Sequence, residues 1–317
     1  MFVFRWIANG LAPLTLLGAI AAYLYPPAFL IFKDVFLWLF AATMFALGVV
    51  LDTDELRDTL RHPGRVGLGV LTQYSVMPTL AFISAWAGGL PPELALGFII
   101  VGCAPGAMAS NVIVYLAGGA VAFSVALTTV ATVLSPLLTP TLVEWLGGVF
   151  LPVPFWPMML TIVQTVLAPL LLGMALQRVL GERVTLAREI APGIASIAIV
   201  IICAYAVAAN HQHLGEVSAL VVTLIVLLNL AGYLLGWFAG SMFGFDQTHK
   251  LTLSIEIGMQ NAGLGVALAL AHFTPLVALP GVLFAVWCIL TAAGASAWLR
   301  RAGVDRAGVD RTGVAAP

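Results

Sequence analysis

The sequence predicts an all-α polytopic membrane protein. Ten transmembrane helices are expected, in two inverted five-helix repeats, with helices four and nine discontinuous. Three observations predict this. The chain is too apolar for a water-covered surface, and its ten apolar runs place nearly all basic residues on one side. One run in each half is also interrupted by a similar polar cluster.

Of 317 residues, 62% are hydrophobic and 9% charged, against about 45–50% apolar and about 25% charged in an ordinary soluble domain. Thirteen basic and 14 acidic side chains cannot cover a body of this size. Its surface must therefore face a lipid bilayer. This excludes a soluble enzyme, a nucleic-acid binder and a disordered chain. A net charge of −1 offers no basic stripe for phosphates. Cys103, Cys203 and Cys288 lie in apolar runs and read as small buried hydrophobes rather than disulfides.

A span needs about 20 apolar residues. Read between Gly, Pro and charge clusters, the runs are approximately 11–25, 28–51, 66–86, 93–117, 120–146, 155–177, 191–209, 217–242, 251–271 and 279–299. The first resembles the apolar core of a signal peptide. Pro26-Pro27 follows it instead of a small-residue cleavage site, so it is read as a retained span. With ten spans and both termini in the cytoplasm, every basic residue except Lys33 falls on the inner side. The expected location is the cell (inner) membrane. The 302–317 tail repeats Ala-Gly-Val-Asp-Arg and reads as a disordered cytoplasmic end.

Shifting the sequence by 150 residues superposes two clusters, Pro105-Gly-Ala-Met-Ala-Ser-Asn111 in run four and Ile255-Glu-Ile-Gly-Met-Gln-Asn261 in run nine. Each is the fourth element of a five-span half. Five is odd, so the second half enters the membrane in the opposite sense, the pattern of an inverted repeat with broken helices.

Glu256 is the only acid deep inside an apolar run. Such a group is costly in a membrane and marks an ion or proton site by default; the alternative is a protonated structural carboxyl. No Lys or Arg lies at similar depth, so the counter-charge is a mobile cation or a proton. Gln260 and Asn261 share its run, and Ser110 and Asn111 lie in the related one. Ser124 and Thr128 share a helix face in run five, although such hydroxyls also serve plain helix packing, and Gln73 lies in run three. One carboxylate among neutral oxygens suits a hard cation, whereas a transition metal favours His or Cys. The Pro105-Gly106 break either kinks a helix or frees a half-helix N-terminus to attract an anion. His211 and His213 read as an exposed loop pair, His272 as interfacial, and the Asp52–Arg65 segment as a solvated inner connection. No catalytic motif is present.

These clusters, with Phe123-Ser-Val-Ala-Leu-Thr128 and Ser135-Pro-Leu-Leu-Thr-Pro140, resemble the bile acid:sodium symporter family from Leu47 to Trp287. The resemblance implies a single transporter unit, expected as a monomer, in which helices four and nine cross where they unwind. A panel domain (approximately 11–51 and 155–209) would move against a core domain (approximately 66–146 and 217–299). It further implies two sodium ions. One would be held by Ser110, Asn111, Ser124, Thr128 and Glu256. The other would be held by Gln73, Glu256, Gln260 and the backbone oxygens of Ile257 and Met259. Where relatives often carry Gly, Thr and His-Asn, this chain has Ala107, Met108 and Cys288-Ile289. Those substrate-side positions, with Asn261 as the best side-chain contact, imply an organic anion more apolar than usual or held by backbone N–H groups. The implied function is sodium-coupled organic anion symport. Proton coupling through Glu256, or a channel or sensor, are the alternatives.

Overall fold

A computed structural model describes residues 11–51, 63–180, 184–214 and 218–301. Among these, every regular element is helical. The principal helices are α1 (Leu11–Leu24), α2 (Phe36–Val50), α3 (Pro63–Ala87), α4 (Pro92–Gly102), α5 (Ser110–Ala117), α6 (Val121–Leu142), α7 (Phe155–Ile162), α8 (Ala168–Leu180), α9 (Val184–Ala209), α10 (Ala219–Met242), α11 (Gln247–Gly258), α12 (Ala262–His272) and α13 (Pro275–Arg301). Wide π-turns continue α6 over Val143–Gly147 and join α7 to α8 over Val163–Leu167.

Among the described residues, four helical stretches are long and apolar enough to cross a membrane: Pro63–Ala87, Val121–Gly147, Phe155–Val179 and Ala219–Met242. A fifth counts if Leu14–Leu24 and Pro27–Asp34, bent by 110° to one another, form one span. Phe36–Val50, Pro92–Gly102, Gly193–Ala209, Ala262–His272 and Pro275–Cys288 are apolar but shorter. At about 1.5 Å per residue, 11 or 15 residues fall short of a hydrocarbon layer about 30 Å thick.

The second run was expected from residue 28, but its helix begins only at Phe36. Pro27 opens a separate one-turn helix, and Ile31–Asp34 forms a 3₁₀ turn that leaves Lys33 and Asp34 exposed. A charged pair at the water boundary gives the chain reason to turn before it enters the apolar layer. The last run extends further than expected, from Pro275 to Arg301. Most of the Asp52–Arg65 segment and the 302–317 tail lie outside the described residues; Pro63–Arg65 begin α3.

The outer surface is apolar, and a polar cluster is buried within an otherwise apolar interior. Leu234 is 71% exposed and Trp86 70%, while Gln73, Ser110, Ser124, Thr128 and Glu256 are buried. A water-soluble protein distributes these residue types the other way. α2 packs chiefly on α8 and α9, and α1 on α9. In a second group, α10 lies along α11, α12 along α13, and α4 between α3 and α13. The three cysteines are buried and free.

Candidate functional site

Both interrupted runs open into extended backbone at their polar clusters. In run four, α4 ends at Gly102 and α5 starts at Ser110; in run nine, α11 ends at Gly258 and α12 starts at Ala262. The two openings meet. Gly106 and Gln260 form an antiparallel bridge. The Ala107 N–H donates to Met259 O at 2.9 Å, and the Asn261 N–H to Pro105 O at 2.8 Å.

Breaking a helix frees buried carbonyls, each of which needs a partner. Neighbouring elements supply them. Thr139 Oγ1 donates to Cys103 O at 2.9 Å and Gln73 Nε2 to Ala104 O at 3.1 Å. Gln260 Nε2 donates to Ile257 O and Asn229 Nδ2 to Gly258 O, both at 2.8 Å. The Ile257 and Met259 carbonyls therefore each carry one protein hydrogen bond, and each keeps a second lone pair.

Glu256 lies at this crossing, fully buried. Its Oε1 accepts from Ser110 Oγ at 2.5 Å and from Ser124 Oγ. Ser124 Oγ also faces Asn111 Oδ1 at 2.7 Å, and Thr128 Oγ1 lies 3.5 Å from that same oxygen. The Thr128 hydroxyl already has a better acceptor in Ser124 O at 2.8 Å. This cluster holds more acceptor oxygens than protons, because each hydroxyl carries one proton. Either a cation or a proton on the carboxyl relieves the excess.

Two further oxygens face the same need. Glu256 Oε2 and Gln73 Oε1 are buried and have no hydrogen-bond partner among the described residues. Gln73 is tied to run nine, since its Nε2 also donates to Gln260 Oε1 at 2.7 Å. A Cβ on Gly106 would sit 3.0 Å from Glu256 Oε2, so only glycine leaves that oxygen clear. The structure thus brings Gln73, Ser110, Asn111, Ser124, Thr128, Glu256 and Gln260 around one crossing, with the backbone of Ile257 and Met259.

The substrate-side residues are more scattered. Ala107 and Met108 are half-buried beside the crossing. Asn261 caps α12, its Oδ1 accepting from the Leu264 N–H at 3.0 Å. Cys288 is 4% exposed and packed in the apolar core. His272 pairs with Thr161 at 2.9 Å, and His211 belongs to a one-turn helix.

Several contributing residues were not singled out from sequence. Asn229 is fully buried on α10. Gly232, Gly236 and Gly240 continue its face, and a Cβ on each would meet α11 at 3.1, 2.8 and 3.2 Å. Their Gly-x-x-x-Gly-x-x-x-Gly spacing is a readable signal for close helix packing. Thr132, one turn beyond Thr128, is also buried, with an unpartnered hydroxyl among the described residues.

A helical protein with lipid-facing apolar sides and a polar crossing of two broken helices belongs to the class of membrane transporters. The model of the sodium bile acid symporter family matches residues 37–217, more than half of the chain. This chain is a member of that family, whose members are transporters and not enzymes. It is 37% identical over 269 residues to the "Uncharacterized sodium-dependent transporter YocS" of Bacillus subtilis, covering 85% of this chain and 84% of the relative. A match covering that share of the chain necessarily takes in both breaks. It is 38% identical over 262 residues to the "Probable sodium/metabolite cotransporter BASS1, chloroplastic" of Arabidopsis thaliana, covering 82% of this chain and 65% of the relative.

Proposed function

We propose that this protein is a sodium-coupled symporter of an organic anion, working by alternating access. The observation that carries the reading is the pair of unpartnered oxygens, Glu256 Oε2 and Gln73 Oε1, beside the bridge between Gly106 and Gln260. With the hydroxyls of Ser110, Ser124 and Thr128 and the carbonyls of Ile257 and Met259 they make an all-oxygen set, which suits a hard cation.

Two sodium ions are assigned. The first takes Ser110, Asn111, Ser124, Thr128 and Glu256; the second takes Gln73, Glu256, Gln260 and the carbonyls of Ile257 and Met259. Family membership and the sodium dependence in the names of both relatives support sodium over other cations. Sodium orders the crossing, and this completes an anion site at the N-termini of α5 and α12, giving positive coupling. Ala107, Met108 and the amide nitrogen of Asn261 border that site. Cys288, buried on α13, is assigned to the apolar wall of that site.

The chain is assigned ten spans in two inverted halves, both termini in the cytoplasm, acting as a monomer in the cell membrane. That α1, α2, α8 and α9 pack most extensively on one another supports a panel domain that moves against a core, with α7 packed on α6 between them.

Proton coupling is the second reading, because a proton on Glu256 also relieves the excess of acceptors. Uptake into proteoliposomes distinguishes them. A sodium gradient at fixed pH is expected to drive accumulation of an organic anion, identified first by a thermal-shift screen with and without sodium. Accumulation driven by a pH gradient and indifferent to sodium refutes the sodium reading.

A further inference from the structure

We infer that Asn229 is the positioning residue of the ion site: it holds the open end of α11 in place and ties it to α13. The inference rests on the reading of the crossing as a sodium site. Asn229 touches no residue assigned to either ion through its side chain. It acts on the backbone between two of them.

Asn229 is completely buried in α10, where an amide needs partners on both ends. Its Nδ2 donates to Gly258 O at 2.8 Å. Its Oδ1 accepts from Thr291 Oγ1 on α13 at 3.1 Å. Gly258 lies between Ile257 and Met259, whose carbonyls are assigned to sodium. A peptide plane is rigid, so holding the Gly258 carbonyl restricts the rotation of its neighbours. Without Asn229 that carbonyl is freed in an apolar layer, and the chain is driven to turn it elsewhere.

A second observation points the same way. α10 approaches α11 closely at Gly232, where a Cβ would lie 2.9 Å from Met77 Sδ, 3.1 Å from Gly258 Cα and 3.2 Å from Ile257 O. The next residue of α10 packs here too, since a Cβ on Gly258 would lie 2.2 Å from the Tyr233 ring. The opening of α11 is seated against Gly232 and the Tyr233 ring, and among the described residues Asn229 is the side chain of α10 that donates to its last carbonyl. Thr291 Oγ1 also contacts Trp287 O at 3.2 Å and Cys288 O at 3.1 Å on its own helix. Its single proton is shared among these three acceptors, so a change at the ion site reaches α13 through the Gly258–Asn229 bond and a Thr291 hydroxyl that also has partners on its own helix.

The test uses the full chain in detergent, with sodium titrated against choline at constant ionic strength and melting temperature as the readout. Asn229→Leu is expected to raise the sodium midpoint about tenfold, or about 1.4 kcal/mol of binding free energy. Thr291→Val, which loosens only the far end of the amide, is expected to raise it about threefold, within the range of one hydrogen bond. A residue with a merely structural role would lower the sodium-free melting temperature and leave the midpoint unchanged. Hydrogen exchange across residues 255–262 is a readout independent of sodium, and Asn229→Leu is expected to accelerate it there and not in α6. If wild type responds to sodium while both variants keep its midpoint and exchange, the inference is overturned. If wild type itself ignores sodium, the sodium reading fails, and the exchange result alone decides whether Asn229 holds the break. Should Asn229→Leu not fold, Thr291→Val carries the same comparison.

Discussion

Ser110 donates its hydroxyl proton to Glu256 Oε1 at 2.5 Å, joining residues 146 positions apart. Ser110 begins α5 at one helix break, and Glu256 lies just before the other. This contact makes the two halves of the chain one site, and the first prediction follows from its asymmetry.

Glu256 is assigned to both sodium ions and Gln73 to one. Glu256→Gln keeps the shape but removes the only anionic ligand, in a place where water screens little. Sodium-dependent stabilisation is expected to vanish, while the sodium-free protein is as stable as wild type or more so, since a buried acid has been removed. Gln73→Ala is expected to keep a saturable sodium response with reduced cooperativity. Sodium titration of the melting temperature at constant ionic strength checks both. A near-wild-type midpoint in Glu256→Gln makes the acid structural.

Gly106→Ala places a methyl group 3.0 Å from Glu256 Oε2 and 3.4 Å from Thr128 Cγ2. Overpacking of this kind costs about 1–3 kcal/mol. The loss is expected mainly in sodium affinity, because the methyl occupies the open side of the carboxylate. A variant that lowers only the sodium-free melting temperature would move the cation away from this oxygen.

Stoichiometry is read from voltage. Two sodium ions entering with one monovalent anion move one net positive charge, worth about 2.3 kcal/mol per 100 mV. Uptake into proteoliposomes is expected to accelerate when a potassium diffusion potential makes the interior negative. Voltage-independent uptake of a monoanion excludes the two-ion cycle.

The last prediction concerns pH at the entry to α11. Asp246 caps this helix, accepting from the Thr248 hydroxyl at 2.7 Å and the His249 N–H at 3.0 Å. Thr248 first, then His249, holds its carboxyl well below the usual range. A depressed folded-state pKa means that the cap's stabilisation is present above the unfolded value of about 3.9 and is lost as pH falls through the folded value. Its side chain is 58% exposed, so solvent screens much of the effect. Asp246→Ala is expected to cost about 1 kcal/mol at neutral pH, with Asp246→Asn close to wild type there. Thermal melts from pH 5 to 2, which span the region below the unfolded value, check the further expectation that Asn flattens the acid limb.

Composition and local pattern by themselves determined that this chain is helical, belongs in lipid and carries an ionisable group there. An excess of apolar residues leaves no other surface, and Glu256 is conspicuous in run nine because hydrocarbon tolerates so few acids. Pro105-Gly106 was legible as a break because two residues that disfavour a helix stand together, whereas the lone Pro78 and Pro280 stay inside helices. Local pattern could not place Phe36 as the start of α2, because the turn before it depends on where Lys33 meets water. Nor could it single out Asn229: an amide in an apolar run has no meaning until its partner is known, and Gly258 O becomes available only because α11 ends there. The glycines at 232, 236 and 240 were readable as a spacing, but not as the places where α10 closes on α11. Tertiary structure alone decided which carbonyls the crossing satisfies and which oxygens, Glu256 Oε2 and Gln73 Oε1, it leaves without a partner. Those outcomes depend on distances between segments about 150 residues apart, and no local periodicity encodes a distance of that kind.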